Sequence, residues 1–574
     1  MNKKCDLCSK DFAIRPEDRI FYEQVSAPLP ESCPDCRMMR RLSFRNERTL
    51  YKRPCDLCKK DGVSLYPPGT PFPVFCHPCW WSDKWDPRDH AMDYDPSRPF
   101  LDQFKELQSK VPRIALLVID SVRSDYTNNA GDNKDCYLIF AAEQNEDSLY
   151  SRLIMKCKQA QSMTCLRLIM KCKQVMDCAF VYDSELCYEC IDCRQCFKCL
   201  YSEQCQSSTD LLFCFNMRDS QNCIFCTNGR HTTYSIFNEK CTKEEYEAKK
   251  AEILSSYENI EAAKKEYAKL KAGTIVKYAA QTKCHNATGD YMYNCYDGVR
   301  LFDTSSAKNC SYMADTEDPI DCQDCNNVYY KPELCYDLMG VLQCSKSKHS
   351  TYIMYSNECE YSDSCYNSTG CFGCIRLNQA KYSILNKQYT KEDYEKLKNE
   401  IVESMKKDDT YGEFFPQSMS PFGYNETLAK EYFPLTREEA IAKGFRWQEQ
   451  TTGTFGKETV PEKNMPQTIE EVSDTILSEV LVCNECGKNF RITQAELQFY
   501  RRLGLPIPHK DFECRHQNRM NKRNPRTLWP RSCMCDMAGH RHEGGHCENT
   551  FETSYSPERS EIVYCETCYQ TEFS

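Results

Sequence analysis

Cysteine and apolar residues recur with a period of three in the middle of the chain. Every cysteine from Cys172 to Cys241 falls in the same phase of three. Frames of 18 residues, starting at positions 172, 190, 208 and 226, all carry cysteine at their sixteenth position. A fixed period with one residue type per column is typical of a solenoid. We therefore predict an all-β solenoid, a β-helix with rungs of about 18 residues stacked about 4.8 Å apart.

The same pattern returns 148 residues further along the chain, where residues 356–391 match the last two frames. Ile353 and Tyr389 replace column cysteines in this second copy. A packing column tolerates such replacement, whereas a ligand column does not. The sequence thus predicts two solenoid copies, residues 136–243 and 276–391, in which most cysteines form a structural core.

The run CYECIDCRQCFKC, Cys187 to Cys199, leaves other interpretations open. A ferredoxin cluster uses C-x2-C-x2-C-x3-C followed by proline, and the run has neither the longer gap nor the proline. Disulfides between neighbouring rungs and metal held by thiolate ladders also fit the spacing. A plain core is the interpretation that the replaced columns favour.

Charged segments with a weak apolar stripe follow each solenoid copy. Thr242 and Glu245 have capping-box spacing ahead of a helix predicted over residues 244–275. A second helix begins the aromatic, turn-rich unit of residues 392–447. We expect both helices to cap the solenoids. Residues 448–480 are polar, acidic and free of cysteine, which predicts a linker.

The amino-acid composition indicates the redox environment in which the cysteines are expected to lie. The chain has 574 residues, 42 of them cysteine, and a formal net charge of −10. It opens MNKKCDLC without an apolar leader, and it contains no apolar run of membrane-spanning length. We therefore expect a cytoplasmic, reducing environment with no membrane contact, in which cysteines bind metal or pack as small apolar residues.

Paired C-x2-C motifs mark both ends of the chain, in residues 1–95 and 481–574, with residues 96–135 as a connecting segment. Two C-x2-C pairs separated by a spacer have the spacing that is typical of a tetrahedral zinc site with four cysteine ligands. The C-terminal motifs repeat the N-terminal ones at an offset of 478 residues up to Cys533 and of 489 residues after it, and Asp511 stands where one cysteine is expected. We predict about four zinc ions per chain, held by Cys5, Cys8, Cys33 and Cys36; by Cys55, Cys58, Cys76 and Cys79; by Cys483, Cys486, Asp511 and Cys514; and by Cys533, Cys547, Cys565 and Cys568.

Two of the C-terminal assignments have alternatives. His509 and His516 lie near Asp511, and an unfilled third site is also compatible with its missing cysteine. An insertion, MCDMAGHRHEGGH, separates the first two ligands of the last site. Cys535 in that insertion is the best substitute within this ligand set.

The order C-x2-C, F-x-I, FY, P-x-P and CPDCR resembles small bacterial zinc-ribbon domains of treble-clef type. The resemblance covers about 40 residues at each end. It implies that the second C-x2-C lies at the start of a helix. The whole layout resembles multi-zinc-ribbon, cysteine-rich repeat proteins of candidate-phyla bacteria, a resemblance that implies no activity.

Arginines follow the second cysteine pair at helical spacing in both copies. Four arginines per copy would share one helix face, and such a face suits phosphate. Charge compensation of the zinc thiolates and a protein partner are the alternatives. The predicted nucleic-acid-binding residues are Arg37, Arg41, Arg45, Arg48, Arg515, Arg519, Arg523 and Arg526.

Catalytic motifs are missing from the sequence: it contains no P-loop, G-x-G-x-x-G after a strand, G-x-S-x-G or H-E-x-x-H. Zinc sites with four protein ligands are closed to water. We therefore expect a non-enzymatic zinc scaffold that presents basic modules to RNA or DNA and has no small-molecule substrate. Protein assembly through the solenoid face and a thiol-based redox or metal-handling role are the alternatives.

Overall fold

The computed structural model describes residues 1–152, 176–177, 188–189, 199–315, 323–324, 326–329, 336–342, 344–449, 452–540, 542 and 545–573. Most of the run from Cys187 to Cys199 lies outside the described residues, as does most of the first two 18-residue frames. We call residues 1–80 the N-terminal modules and residues 481–573 the C-terminal modules.

Most described helices lie in the terminal modules or directly after a repeat region. In the described residues they are α1 (Pro16–Gln24), α2 (Pro34–Leu42), α3 (His77–Trp80), α4 (Phe100–Lys110), α5 (Lys243–Leu254), α6 (Tyr257–Ala272), α7 (Lys391–Lys407), α8 (Leu428–Tyr432), α9 (Arg437–Ala442), α10 (Gln494–Leu503), α11 (Phe512–Met520) and α12 (Glu566–Phe573). Thr242 caps α5 through the capping box that the sequence predicts, because its hydroxyl accepts from the Glu245 amide at 3.2 Å.

Strands are short throughout. Those before residue 118 are β1 (Asn2–Lys4), β2 (Asp11–Ala13), β3 (Tyr51–Pro54), β4 (Asp61–Ser64), β5 (Val74–Phe75) and β6 (Arg113–Ile114). The next are β7 (Val118–Ile119), β8 (Asn128–Gly131), β9 (Phe140–Glu143), β10 (Thr209–Leu212), β11 (Gln221–Ile224), β12 (Thr233–Ile236) and β13 (Glu239–Lys240). The second repeat region holds β14 (Ile275–Lys277), β15 (Gln281–Thr282), β16 (His285–Asp290), β17 (Met292–Tyr293), β18 (Tyr296–Phe302), β19 (Asn326–Tyr329), β20 (Met339–Leu342), β21 (Thr369–Phe372), β22 (Lys381–Ile384) and β23 (Lys387–Gln388). The C-terminal modules hold β24 (Leu481–Val482), β25 (Asn489–Phe490), β26 (Trp529–Ser532), β27 (Thr550–Thr553) and β28 (Ile562–Tyr564).

Parallel pairing organises the two repeat regions at an offset of 12 residues. Leu200 pairs with Leu212, and Met354 pairs with Tyr366. The expectation of 18-residue rungs is therefore wrong. The repeating unit is three residues, and both 18 and 12 are multiples of three. An 18-residue frame therefore keeps the cysteines in phase, but it does not match the number of residues in one coil. We call the described coils between residues 118 and 241 the N-terminal stack, and those between residues 281 and 388 the C-terminal stack.

Most described coils consist of four three-residue sides, although in the C-terminal stack Gln281 pairs with Met292 at an offset of 11 and Asn326 with Met339 at an offset of 13. From Cys199 to Cys226 every third residue is buried, the next residue makes the parallel pairing, and the third has a positive φ. Positive φ is unfavourable for residues with a branched β-carbon. Accordingly, none of the described residues with positive φ is Val, Ile or Thr.

Inward serines and cysteines satisfy the backbone of these tight coils. The Ser202 hydroxyl accepts from the amide of Cys214, 12 residues on, at 3.1 Å. The Cys214 thiol donates to the carbonyl of Cys223, nine residues on, at 3.3 Å. Thiols that pack and donate in this way are structural, and none of the described cysteines forms a disulfide.

Flanking segments pack on the side of the stacks. Lys264 and Lys271 of α6 form ion pairs with Glu189 and Glu203 on successive coils, so this helix covers a flank rather than only an end. The segment predicted as a linker also packs: the side chain of Ile476 is buried in the same apolar cluster as α6. Coil pairing begins at Val118, inside the segment predicted to be a connection.

Candidate metal centres and their arginine clamps

Four groups of ligand atoms match the predicted sets. In each group the atoms lie within 4.8 Å of one another. The sets are Cys5, Cys8, Cys33 and Cys36; Cys55, Cys58, Cys76 and Cys79; Cys483, Cys486, Asp511 and Cys514; and Cys533, Cys547, Cys565 and Cys568. We refer to them as sites 1 to 4 in chain order.

A turn and a helix end build each site. In site 1 the chain folds back after β1, and the Cys5 carbonyl accepts from the Ser9 amide at 2.9 Å. Cys33 is the N-cap residue of α2, which places Cys36 in the first turn of that helix. The amide of Cys33 donates to the Cys5 sulfur at 3.2 Å. Site 2 repeats these contacts, with Cys76 as the N-cap of α3 and its amide 3.3 Å from the Cys55 sulfur.

Sulfur–sulfur separations fit a tetrahedral metal. The Cys8 and Cys33 sulfurs are 3.8 Å apart, those of Cys58 and Cys76 are 3.7 Å apart, and those of Cys547 and Cys565 are 3.9 Å apart. A Zn–S bond of about 2.3 Å gives a tetrahedral edge of about 3.8 Å. Four cysteines at that spacing leave no open coordination position, so these groups suit structural rather than catalytic zinc.

At Cys33 a hydrogen bond and the helix end both favour the thiolate. A hydrogen bond from the Cys36 thiol lowers the pKa of Cys33 to about 5. The position of Cys33 at the N-terminus of α2 acts in the same direction, because the helix dipole stabilises negative charge there.

Asp511 performs two roles in site 3. It is the N-cap of α11, and its Oδ1 accepts from the Glu513 amide at 2.8 Å. Its Oδ2 lies 2.9 Å from the Cys486 sulfur and is therefore directed into the site. The alternatives lie elsewhere: the His509 ring contacts the Pro466 carbonyl, and the His516 ring contacts Glu431.

The arginines that follow the second ligand pair are buried, not exposed. On α2 the Arg37 Nε lies 2.7 Å from Asp324 Oδ2, and Arg41 pairs with Asp337. Both carboxylates belong to the C-terminal stack, and the exposed fraction of these two arginine side chains is 2% or less. Buried ion pairs of this kind need both partners, because either charge left alone is costly.

The C-terminal copy makes the equivalent contacts with the other stack. On α11 the Arg515 Nε lies 3.1 Å from Asp177 Oδ2, and the Arg519 Nη1 lies 3.0 Å from Asp177 Oδ1. Tyr500 packs edge-on against Tyr188, as Tyr22 of α1 packs against Tyr336. The internal duplication is therefore crossed: α2 docks on the C-terminal stack and α11 on the N-terminal stack.

The remaining four arginines are also paired inside the protein. Arg45 pairs with Glu47, and Arg48 pairs with Glu431 and Glu513. Arg523 pairs with Asp303, and Arg526 with Asp303 and Asp315. This burial overturns the expectation that the eight arginines form an exposed face for nucleic acid. Their charge is balanced within the fold by carboxylates of the stacks, of Glu47, of α8 and of α11 rather than by the cysteine ligand groups.

The stack carboxylates were missed at the sequence level. Asp177, Asp303, Asp324 and Asp337 have positive φ and occupy the third position of a coil side. Aspartate tolerates that conformation better than most residues. The recurrence of aspartate at that position was the available signal, but an 18-residue frame does not align neighbouring coils and so does not show these aspartates side by side.

Known proteins offer little comparison. No family model and no curated protein matches the chain. A crystal structure of a "putative acetyltransferase" from Desulfovibrio desulfuricans G20 is 9% identical, covering 46% of this chain and 66% of that chain, with a TM-score of 0.09. Similarity at that score carries no argument about fold or function. Among the described helices, none combines the length and the apolarity needed to cross a bilayer.

Proposed function

We propose that this protein is a non-catalytic zinc-binding scaffold, in which zinc-held modules clamp two β-solenoids. The observation that carries the proposal is the set of tetrathiolate groups with sulfur–sulfur separations of 3.7–3.9 Å. Zinc supplies folding energy to modules whose own apolar cores are small. The helix that each second ligand pair begins then carries the clamping arginines.

The stacks serve as the rigid body of this scaffold. Their inward cysteines are buried thiols that donate hydrogen bonds to backbone carbonyls, which supports a packing role over redox chemistry. A protein partner on the stack surface is part of the proposal. Nucleic acid is not, because the eight arginines predicted to contact it are engaged in internal ion pairs.

Metal analysis of the full chain, purified under reducing conditions, tests the proposal. We expect zinc without iron, and we expect Cys36→Ser to lower the zinc content by one ion per chain. Cys241→Ser is the matched control, since Cys241 is half-buried and belongs to none of the ligand groups. Iron, a visible chromophore or zinc-free folded protein would overturn the proposal.

A further inference from the structure

A fifth group of ligand atoms lies beside site 4. The insertion between Cys533 and Cys547 supplies Cys535, His540 and His542, whose ligand atoms lie within 4.8 Å of one another and of the Cys568 sulfur. Cys568 is also a member of site 4. One thiolate is therefore within reach of two metal positions.

His542 is otherwise unexplained. Both of its ring nitrogens are buried, and neither has a hydrogen-bond partner among the described residues. Buried polar atoms in folded proteins are nearly always satisfied. An imidazole that points at two thiols and a second imidazole, with no partner of its own, fits a metal ligand.

His540 has the arrangement of an oriented ligand. Its Nε2 lies 3.2 Å from Glu572 Oε2, and its Nδ1 lies 3.2 Å from the Cys535 sulfur. A carboxylate that holds one ring nitrogen fixes the tautomer and directs the other nitrogen at a metal. The side chain of His540 is only 7% exposed, so this orientation is maintained by its surroundings.

We propose that Cys535, His540, His542 and Cys568 bind a fifth zinc ion, with the Cys568 sulfur bridging it to the ion of site 4. This inference rests on the proposed function, namely that the cysteine groups hold zinc. Five thiolates (Cys533, Cys535, Cys547, Cys565 and Cys568) then face two divalent ions, and their net charge is −1. Four thiolates around one ion carry −2, so the second ion relieves the repulsion among closely spaced sulfurs.

The second ion also gives the insertion a structural role. Cys568 and Glu572 lie on α12, whereas the other ligands lie on the insertion, which has no helix or strand among its described residues. A shared ion ties this irregular segment to the helix. The insertion is then part of a two-metal centre rather than a loop that interrupts site 4.

Zinc counting on the intact chain tests the inference by differences between variants. We expect His542→Ala and His540→Ala each to hold one zinc ion fewer than the wild type. His546→Ala is the matched control, because His546 lies in the same insertion but is exposed and contacts only Asp536 in the hydrogen-bond pattern. It should keep the wild-type count. Equal counts in all four proteins would overturn the fifth site while leaving the proposed function intact, whereas zinc-free protein would overturn both.

A separate variant tests whether the Cys568 sulfur bridges the two ions. We expect Cys568→Ser to lose two ions, and a loss of one would overturn the shared thiolate. Cobalt-loaded protein gives a second readout that does not depend on the folding of a cysteine variant. Two Co(II) ions joined by one thiolate couple magnetically, so His542→Ala should raise the paramagnetic signal per bound cobalt. No change in that signal would contradict a bridge.

Discussion

Arg37 and Asp324 form an ion pair at 2.7 Å in which both side chains are buried, although 287 residues separate them. Arg37 follows directly after the candidate metal ligand Cys36, and Asp324 lies on a coil of the C-terminal stack. The pair couples the metal site to the stack, because the helix start that positions the ligand also positions the arginine. Arg515 and Asp177 make the same connection between site 3 and the N-terminal stack.

Removal of the Asp324 carboxylate should therefore be strongly destabilising. We expect Asp324→Ala to lower the free energy of unfolding by about 3–5 kcal/mol, because it leaves the charge of Arg37 buried without its carboxylate partner. Urea titration followed by circular dichroism measures the change. Glu449→Ala is the control: its pair with Arg437 is exposed, and its loss should cost at most about 1 kcal/mol. Equal effects of the two variants would show that the buried pair does not couple module to stack.

Loss of a single zinc ion should loosen the distant stack, not the nearest one in sequence. In Cys36→Ser we expect faster amide exchange in the C-terminal stack around Tyr336, because α2 carries Arg37 and Arg41. In Cys514→Ser we expect the effect in the N-terminal stack, because α11 carries Arg515 and Arg519. Hydrogen exchange with peptide mapping distinguishes the two patterns. Exchange that rises in the same stack for both variants would contradict crossed docking.

Central thiols should be chemically inert in the folded protein. Burial raises the pKa of Cys214 and of Cys365 well above 9.0, so both remain protonated at neutral and mildly alkaline pH. Since the unfolded thiols ionise near 9 and the folded ones do not, stability should fall as the pH rises above about 9. Cys284 is the accessible contrast: its hydrogen bond with Cys295 lowers its pKa to about 7, and it is half-buried. Hydrogen bonds from Cys214 and Cys223 also lower the pKa of Cys226, but that thiol is fully buried. Alkylation followed by mass spectrometry should label Cys284 first, and early labelling of Cys214 would favour the redox alternative.

The phase of three and the four ligand sets were accessible from sequence because each depends on local spacing. A C-x2-C turn brings two sulfurs together whatever surrounds it, and a column of small residues identifies an inward position. The number of residues in one coil could not be predicted in this way, because it depends on which residues of successive coils pair with each other. Thr209 pairs with Gln221 only in the folded stack, and repeated cysteines nine apart do not report that pairing.

Whether the arginines are exposed or buried could not be predicted from the sequence for a related reason. Helical spacing shows that Arg37 and Arg41 share a face, but it does not show what that face meets. Their partners Asp324 and Asp337 lie in a different repeat region, some 290 residues away, at positions that an 18-residue frame does not align. A 12-residue frame would have aligned Asp303 with Asp315 on successive coils and suggested an internal partner for the arginines.

Coil length yields the most decisive prediction. Deletion of residues 121–132 removes one full turn from the outer end of the N-terminal stack, and Asn133 then takes the place of Ser121 in the same column. We expect this variant to fold, because Val118 can pair with Ala142 as it now pairs with Ala130. Deletion of residues 121–129 is the matched control: it keeps the phase of three but removes only three of the four sides, so the inward residues before the deletion no longer lie in column with those after it. That variant should unfold at clearly lower urea than the 12-residue deletion. If the shorter deletion were the better tolerated, the coil could not be built from four sides of three residues.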